Sequence, residues 1–403
     1  MYARLVIFYY IKTLHIIFYN EKMKRTIEFA EKLFQEYNHY QVDKFQERII
    51  NPELLKDIIH ELSFSVSNYI QVETVGKSFE GRDIRLISVG SGEMKTLLWS
   101  QMHGDESTAT KAICDIINYL IKTRNEESTL QIISIFRLLF LPVLNPDGAL
   151  RNQRRTAQGI DLNRDALALV TPEGRLLKQL QNKLKPDFGF NLHDQELSTV
   201  GSTKEIAAIG LLSPAIDHDK SDNDVRMKSK HAASVFAEVM NKFIQGKITK
   251  YDDTFEPRAF GDNMQRWGTS TLLVESGHML KDPNKNFIRK LNFVGILSTL
   301  YAIATSEYQD FKIDVYDKLP FNGKRAYDVI IRNIFIEHPF NKRTSADLGI
   351  SYQVDTHSEL PPRLVDVGDL SLFVGLKEIE GNGKSIPESV LSINQPFEWE
   401  KYF

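Results

Sequence analysis

Residues Thr96 to Met102 read as a buried strand that stops on His103-Gly104-Asp105-Glu106, and a helical pattern follows at once. In that pattern Ala109, Ala112, Ile113, Ile116, Ile117, Leu120 and Ile121 fall on one face. The same grammar recurs twice. Phe188 to Leu192 reads as a short strand ending at His193, and Thr271 to Glu275 as a strand between helical segments 224–244 and 284–304. Strands alternating with helices predict an α/β fold, a mixed central β-sheet flanked by helices. In such sheets ligands collect outside the carboxyl ends of the strands. His103, His193 and Glu275 all stand at such ends.

The remaining chain divides by texture. Residues 1–22 hold an apolar run, Leu5 to Ile11, then a second one interrupted by Lys12 and His15; no small-residue cleavage site follows. They are expected to be an extension outside the fold, with a membrane anchor or a poor signal peptide as alternatives. Residues 23–69 predict a helical segment. Ile70 to Val75 and Ile84 to Val89 predict strands turned at Gly81. Ile132 to Leu144 reads as a strand closed by the sharp turn Asn145-Pro146-Asp147-Gly148, and Glu173 to Leu184 as a helix. After about residue 310 short alternating segments appear: Lys312 to Tyr316, Tyr327 to Phe335, Leu348 to Val354 and Leu370 to Leu376. These predict a main α/β unit over 70–308 and a small β-rich accessory domain over 309–403.

Composition narrows the function classes. Lys and Arg number 50 against 53 Asp and Glu, a net charge of -3, which lacks the basic footprint of nucleic-acid binding. The single cysteine, Cys114, excludes a multi-cysteine zinc site, so His, Asp and Glu must hold any metal. It also fits a reducing compartment. A cytoplasmic location without stable membrane insertion is expected, and a periplasmic or membrane-associated one if residues 1–22 belong to the native protein.

His103-x-x-Glu106 puts an imidazole and a carboxylate within one turn of chain, a spacing that alone occurs by chance. A carboxylate closing the apolar strand before Glu275 is costly unless paired or functional. Catalytic zinc takes three protein ligands and leaves a position open, and two His with one Glu is one such set.

His103-Gly104-Asp105-Glu106, Asn145-Pro146-Asp147-Gly148, Gly159-Ile160-Asp161-Leu162-Asn163-Arg164, His193 and Glu275 occur in an order that resembles zinc carboxypeptidases of the carboxypeptidase A type, over roughly residues 70–305. The resemblance implies a zinc-dependent metallocarboxypeptidase with one Zn2+ per chain held by His103, Glu106 and His193. It implies that Asp161 hydrogen-bonds the far nitrogen of His103. Glu275 would be the general base on a zinc-activated water, and an arginine would stabilise the oxyanion, Arg154 or alternatively Arg155. Asn163 and Arg164 would grip the terminal carboxylate of a peptide substrate. A pocket for the substrate's C-terminal side chain would use Asn263-Met264-Gln265-Arg266-Trp267. The tyrosine the family carries before its catalytic glutamate has no counterpart in Asp253 to Gly261; Tyr251 and Arg258 are the nearby candidates for contacting substrate. A zinc-dependent deacylase of N-acyl amino acids is the alternative reading.

Overall fold

A computed structural model describes residues 23–403 except 65, 67, 353, 356, 357 and 360. The expectation for residues 1–22 falls outside the described residues. Helix α1 covers 23–36, and α2 covers Pro52–Phe64. Strands β1 (Ile70–Lys77) and β2 (Asp83–Val89) pair antiparallel around Gly81, whose φ of +84° suits a residue without Cβ. Then come β3 (Met94–Ser100), α3 (Thr108–Lys122), α4 (Glu127–Ile135), β4 (Phe136–Leu141), α5 (Pro146–Leu150), α6 (Pro172–Leu184) and β5 (Phe188–Asp194). The second half of the unit adds β6 (Thr199–Val200), β7 (Ile209–Leu212), α7 (Asp224–Ile244), β8 (Ile248–Lys250), α8 (Phe260–Arg266), β9 (Ser270–Ser276) and α9 (Asn286–Ala304).

An 8-stranded mixed sheet runs β1-β2-β4-β3-β5-β9-β7-β8. Its centre, β4-β3-β5-β9, is parallel. Because strand side chains alternate, β3 and β4 feed two cores, while the apolar side chains of β5 and β9 join the first of them. Leu98, Leu138, Phe140, Phe190, Leu192, Leu272 and Val274 join the core built with α3, α7 and α9. Leu97, Trp99, Leu139 and Leu141 join the opposite core, with Leu176, Leu177 and Leu180 of α6 and Phe260 and Met264 of α8. Helix α9 is long and apolar enough to cross a bilayer, but most of it is buried inside the fold.

One polar staple ties the N-terminal segment to this core. Arg289 of α9 meets Asp115 of α3 through Nε (2.7 Å) and Nη2 (2.5 Å), with both side chains fully buried. Tyr37 Oη and the Val42 amide donate to the same carboxylate, each at 2.8 Å. Removing one partner of a buried pair strands the other charge, so Arg289→Met is expected to lower stability by roughly 3–5 kcal/mol, read by denaturant unfolding.

Beyond α9, a short helix α10 (Asp314–Asp317) replaces the strand expected over 312–316. Tyr308, Phe311 and Tyr316 pack into the α3-α7-α9 core, and Tyr316 Oη accepts from the Ser213 amide at 2.9 Å. Strand β10 (Asn322–Gly323) pairs with β6. A 5-stranded sheet follows from β11 (Ala326–His338), β12 (Lys342–Ser351), β15 (Arg363–Gly368), β16 (Val374–Glu380) and β17 (Ser385–Pro387). A hairpin of β13 (Val354–Asp355) and β14 (Ser358–Glu359) stands apart from it. This sheet has its own core around Ile331, Leu348, Ile350, Leu364 and Trp399.

Other boundaries also differ. The strand expected over 132–144 begins only at Phe136, because Glu127 to Ile135 is helical with Thr129 and Ile132 buried. The segment expected over 370–376 becomes strand only at Val374; Leu370 to Phe373 is a turn closed by the Phe373 amide on Leu370 O.

Candidate metal centre

The turn after β3 is shaped by close backbone packing. Gln101 takes a φ of +45°, and its Nε2 donates to Gly104 O at 2.7 Å. A Cβ on Gly104 would lie 2.0 Å from the Gly148 carbonyl carbon, so only glycine lets these two loops meet. Asn145 secures the other side. Its Oδ1 accepts from the Gly148 amide (2.9 Å), capping α5, and its Nδ2 donates to Met102 O (3.3 Å). The buried Asp147 carboxylate then accepts from Ser78 Oγ (2.7 Å), the Glu80 amide (2.9 Å) and Arg82 Nη1 (2.6 Å). The Asn145-Pro146-Asp147-Gly148 motif therefore opens a short helix and buttresses the His103 loop.

That loop brings three donors together. Glu106 Oε1 lies 2.8 Å from His103 Nδ1, and Oε2 lies 2.7 Å from His193 Nδ1. All three side chains are buried, and one ligand atom from each falls within 4.8 Å of the others. The far nitrogen of His103 meets Asp161 Oδ1 at 3.0 Å, an outer partner that fixes the ring. Burial opposes the charge on Glu106, but the two imidazoles outweigh it and hold the carboxyl well below its ordinary range. Burial likewise opposes charge on His103; Glu106 and Asp161 overcome it and raise the ring to about 9. Two buried nitrogens facing one ionised carboxylate are the donors zinc accepts, so these residues fit the ion.

Glu275 is the register partner of His193 across parallel β5 and β9, so both project to the same face. Burial, with the nearby Glu106 charge, pushes its carboxyl up to about 8. A cation among the donors would favour its ionised form instead. On the other flank of Glu275 lies Gly210, where a Cβ would come within 2.8 Å of both Gln195 Oε1 and the Tyr251 ring.

The two arginine candidates separate. Arg154 donates through Nη1 to Glu106 Oε1 (3.1 Å) and through Nε and Nη2 to Asp161 Oδ2 (3.2 and 3.1 Å). Arg155 turns away to Gly159 O. Asn163 accepts from the Phe260 amide at 2.9 Å, docking α8 on this loop. Arg164 Nε stands 3.8 Å from Glu256 Oε2, and Arg258 grips both oxygens of Glu256 at 2.9 and 2.7 Å. Arg258 is thus an exposed member of a charged cluster beside Arg164.

Tyr251 reaches the site from the end of β8. Its hydroxyl donates to Gln195 Oε1 (3.1 Å), and burial with the charge of Glu275 raises its pKa. Asn322 of β10 donates to the same oxygen at 3.1 Å. Sequence reasoning missed Gln195 and Asn322, since the contact spans 127 positions and carries no local pattern. The segment 263–267, expected to form part of a side-chain pocket, is held by local contacts. Asn263 Nδ2 caps Pro257 O and Ala259 O, Met264 is core, Gln265 accepts from the Thr271 amide, and Trp267 carries Lys178 Nζ over its ring at 3.4 Å.

Comparison with known proteins agrees with this geometry. Residues 55–205 match the family described as zinc carboxypeptidase. The chain is 26% identical over 212 residues to a probable carboxypeptidase 2 of Arthroderma benhamiae, covering 50% of this chain and 39% of that protein. It is 26% identical over 140 residues to carboxypeptidase D of Drosophila melanogaster, 30% of this chain and 10% of that protein. The chain thus spans well under half the length of either relative. The crystal structure of a metallo-carboxypeptidase from Burkholderia cenocepacia superposes with a TM-score of 0.53 at 16% identity, covering 64% of this chain and 70% of that one. Over residues 55–205 the chain is therefore similar to the zinc carboxypeptidase family, and its sheet and buried donor cluster agree with that likeness.

Proposed function

We propose that the protein is a zinc-dependent metallocarboxypeptidase that hydrolyses the C-terminal peptide bond of peptides. One observation carries the reading: the Glu106 carboxylate lies between the Nδ1 atoms of His103 and His193, with Glu275 in register beside His193. His103, Glu106 and His193 would hold the ion. When bound, zinc supplies Lewis acidity that polarises a carbonyl and acidifies a water. Glu275 accepts the proton of the attacking water and delivers it to the leaving amine. Arg154, anchored on Asp161 and Glu106, presents its guanidinium to the developing oxyanion. Asn163 and Arg164 bind the free carboxylate of the substrate, for which a planar guanidinium is suited.

The names of the curated relatives favour peptides over N-acyl amino acids as substrates. The deciding experiment is hydrolysis of N-blocked peptides by zinc-loaded enzyme, with C-terminally amidated peptides and N-acyl amino acids alongside. Free-carboxylate peptides are expected to lose one residue at a time while the amides stay intact. Cleavage of N-acyl amino acids alone would move the substrate class to the deacylase, and cleavage of nothing would reject the reading.

A further inference from the structure

Alternation sends His193 and Glu275 to one face of the sheet and the next residues, Asp194 and Ser276, to the other. Those two are also register partners. Behind them sits Lys285, the residue before α9, with its side chain 1% exposed. Its Nζ lies 3.2 Å from Asp194 Oδ2 and donates to Ser276 O at 3.1 Å. Its backbone takes a φ of +52°, an uncommon conformation for a lysine that the surrounding structure must hold in place. Asp194 extends the contact. Its Oδ2 accepts from Thr108 Oγ1 (2.6 Å), at the start of α3, and its amide donates to Glu106 Oε2 (3.2 Å). The Gln195 amide donates to Ser276 O at 3.0 Å.

One buried ammonium thereby reaches the residue after His193, the residue after Glu275 and, through Asp194, the helix that follows Glu106. We infer that Lys285, acting with Asp194, is a positioning residue that fixes the spacing of the metal-binding strand end and the Glu275 strand end from behind. Its catalytic meaning rests on the function proposed above; the clamp itself rests on these contacts. The Arg289–Asp115 pair serves as a comparison, because it is equally buried, lies one turn along α9 and touches neither strand end.

The test is amide hydrogen exchange on the full chain, in wild type, Lys285→Met and Arg289→Met. The amides of Asp194 and Gln195 are expected to exchange at least about tenfold faster in Lys285→Met and not to loosen selectively in Arg289→Met. With zinc bound, Lys285→Met is also expected to lose the ion to a chelator about 10–100-fold faster, the range for loss of an outer partner. It should lower kcat with KM nearly unchanged. If Lys285→Met does not accumulate as folded protein, Asp194→Asn/Lys285→Met, which strands no carboxylate, replaces it with the same expectation. Wild-type exchange at Asp194 and Gln195 in the variant, or equal local loosening in Arg289→Met, overturns the clamp. Should the wild type hold no zinc and cut no peptide, the proposed function fails while the exchange data still decide the clamp.

Discussion

Glu275→Gln is expected to lower kcat by about 10²–10⁴-fold, the span general acid–base catalysis contributes, while zinc content stays at the wild-type level. Glutamine keeps the shape of the side chain and its place opposite His193, so the sheet register and the donor cluster are untouched. What disappears is the only proton acceptor that strand β9 presents beside the cluster. The substitution also removes a carboxyl whose ionisation burial resists, so the variant should unfold no earlier than the wild type. Steady-state kinetics on an N-blocked peptide, metal analysis and a thermal melt on one preparation check all three parts. Retention of more than about a tenth of wild-type kcat would take Glu275 out of the base role.

Glu106→Gln should act on the ion instead. Glu106 is the one anionic donor of the cluster, and both of its oxygens face imidazole nitrogens. Losing an outer partner of a metal ligand weakens affinity 10–100-fold, and losing the charged ligand itself should exceed about 100-fold. The purified variant is therefore expected to carry almost no zinc and to show no hydrolysis, with excess zinc restoring only a small part. Competition with a chromophoric chelator measures the affinity directly. Zinc bound as tightly as in the wild type would mean that the ligand set lies elsewhere.

The site was legible to the extent that it lay on strand ends. His103, His193 and Glu275 follow short apolar runs that read as strands in the sequence, and the sheet does bring the latter two side by side. The end of the helix over Glu127–Ile135 reads as strand from Ile132 because Ile132, Ile133 and Ile135 are β-branched residues that suit either state. Strands β7 and β8 escaped notice at four and three residues, too short for any period to appear. Arg154 and Arg155 are neighbours of one type, and only the fold separates them, since Arg155 closes its own loop on Gly159. Gln195, Gly210 and Asn322 had no signal at all, because each matters through a partner distant in sequence.

The short pairing of β10 with β6 bears on how this chain could be divided. Asn322 and Tyr251 share one amide oxygen, Gln195 Oε1, and the Lys250 amide bonds Pro320 O immediately upstream. A fragment stopped at the end of α9 would keep every proposed zinc ligand yet lose the Asn322 contact on Gln195, which packs beside Glu275. Cassette exchange of the C-terminal sheet would therefore have to splice after Gly323, with residues 309–323 inherited as part of the unit that carries the donor cluster.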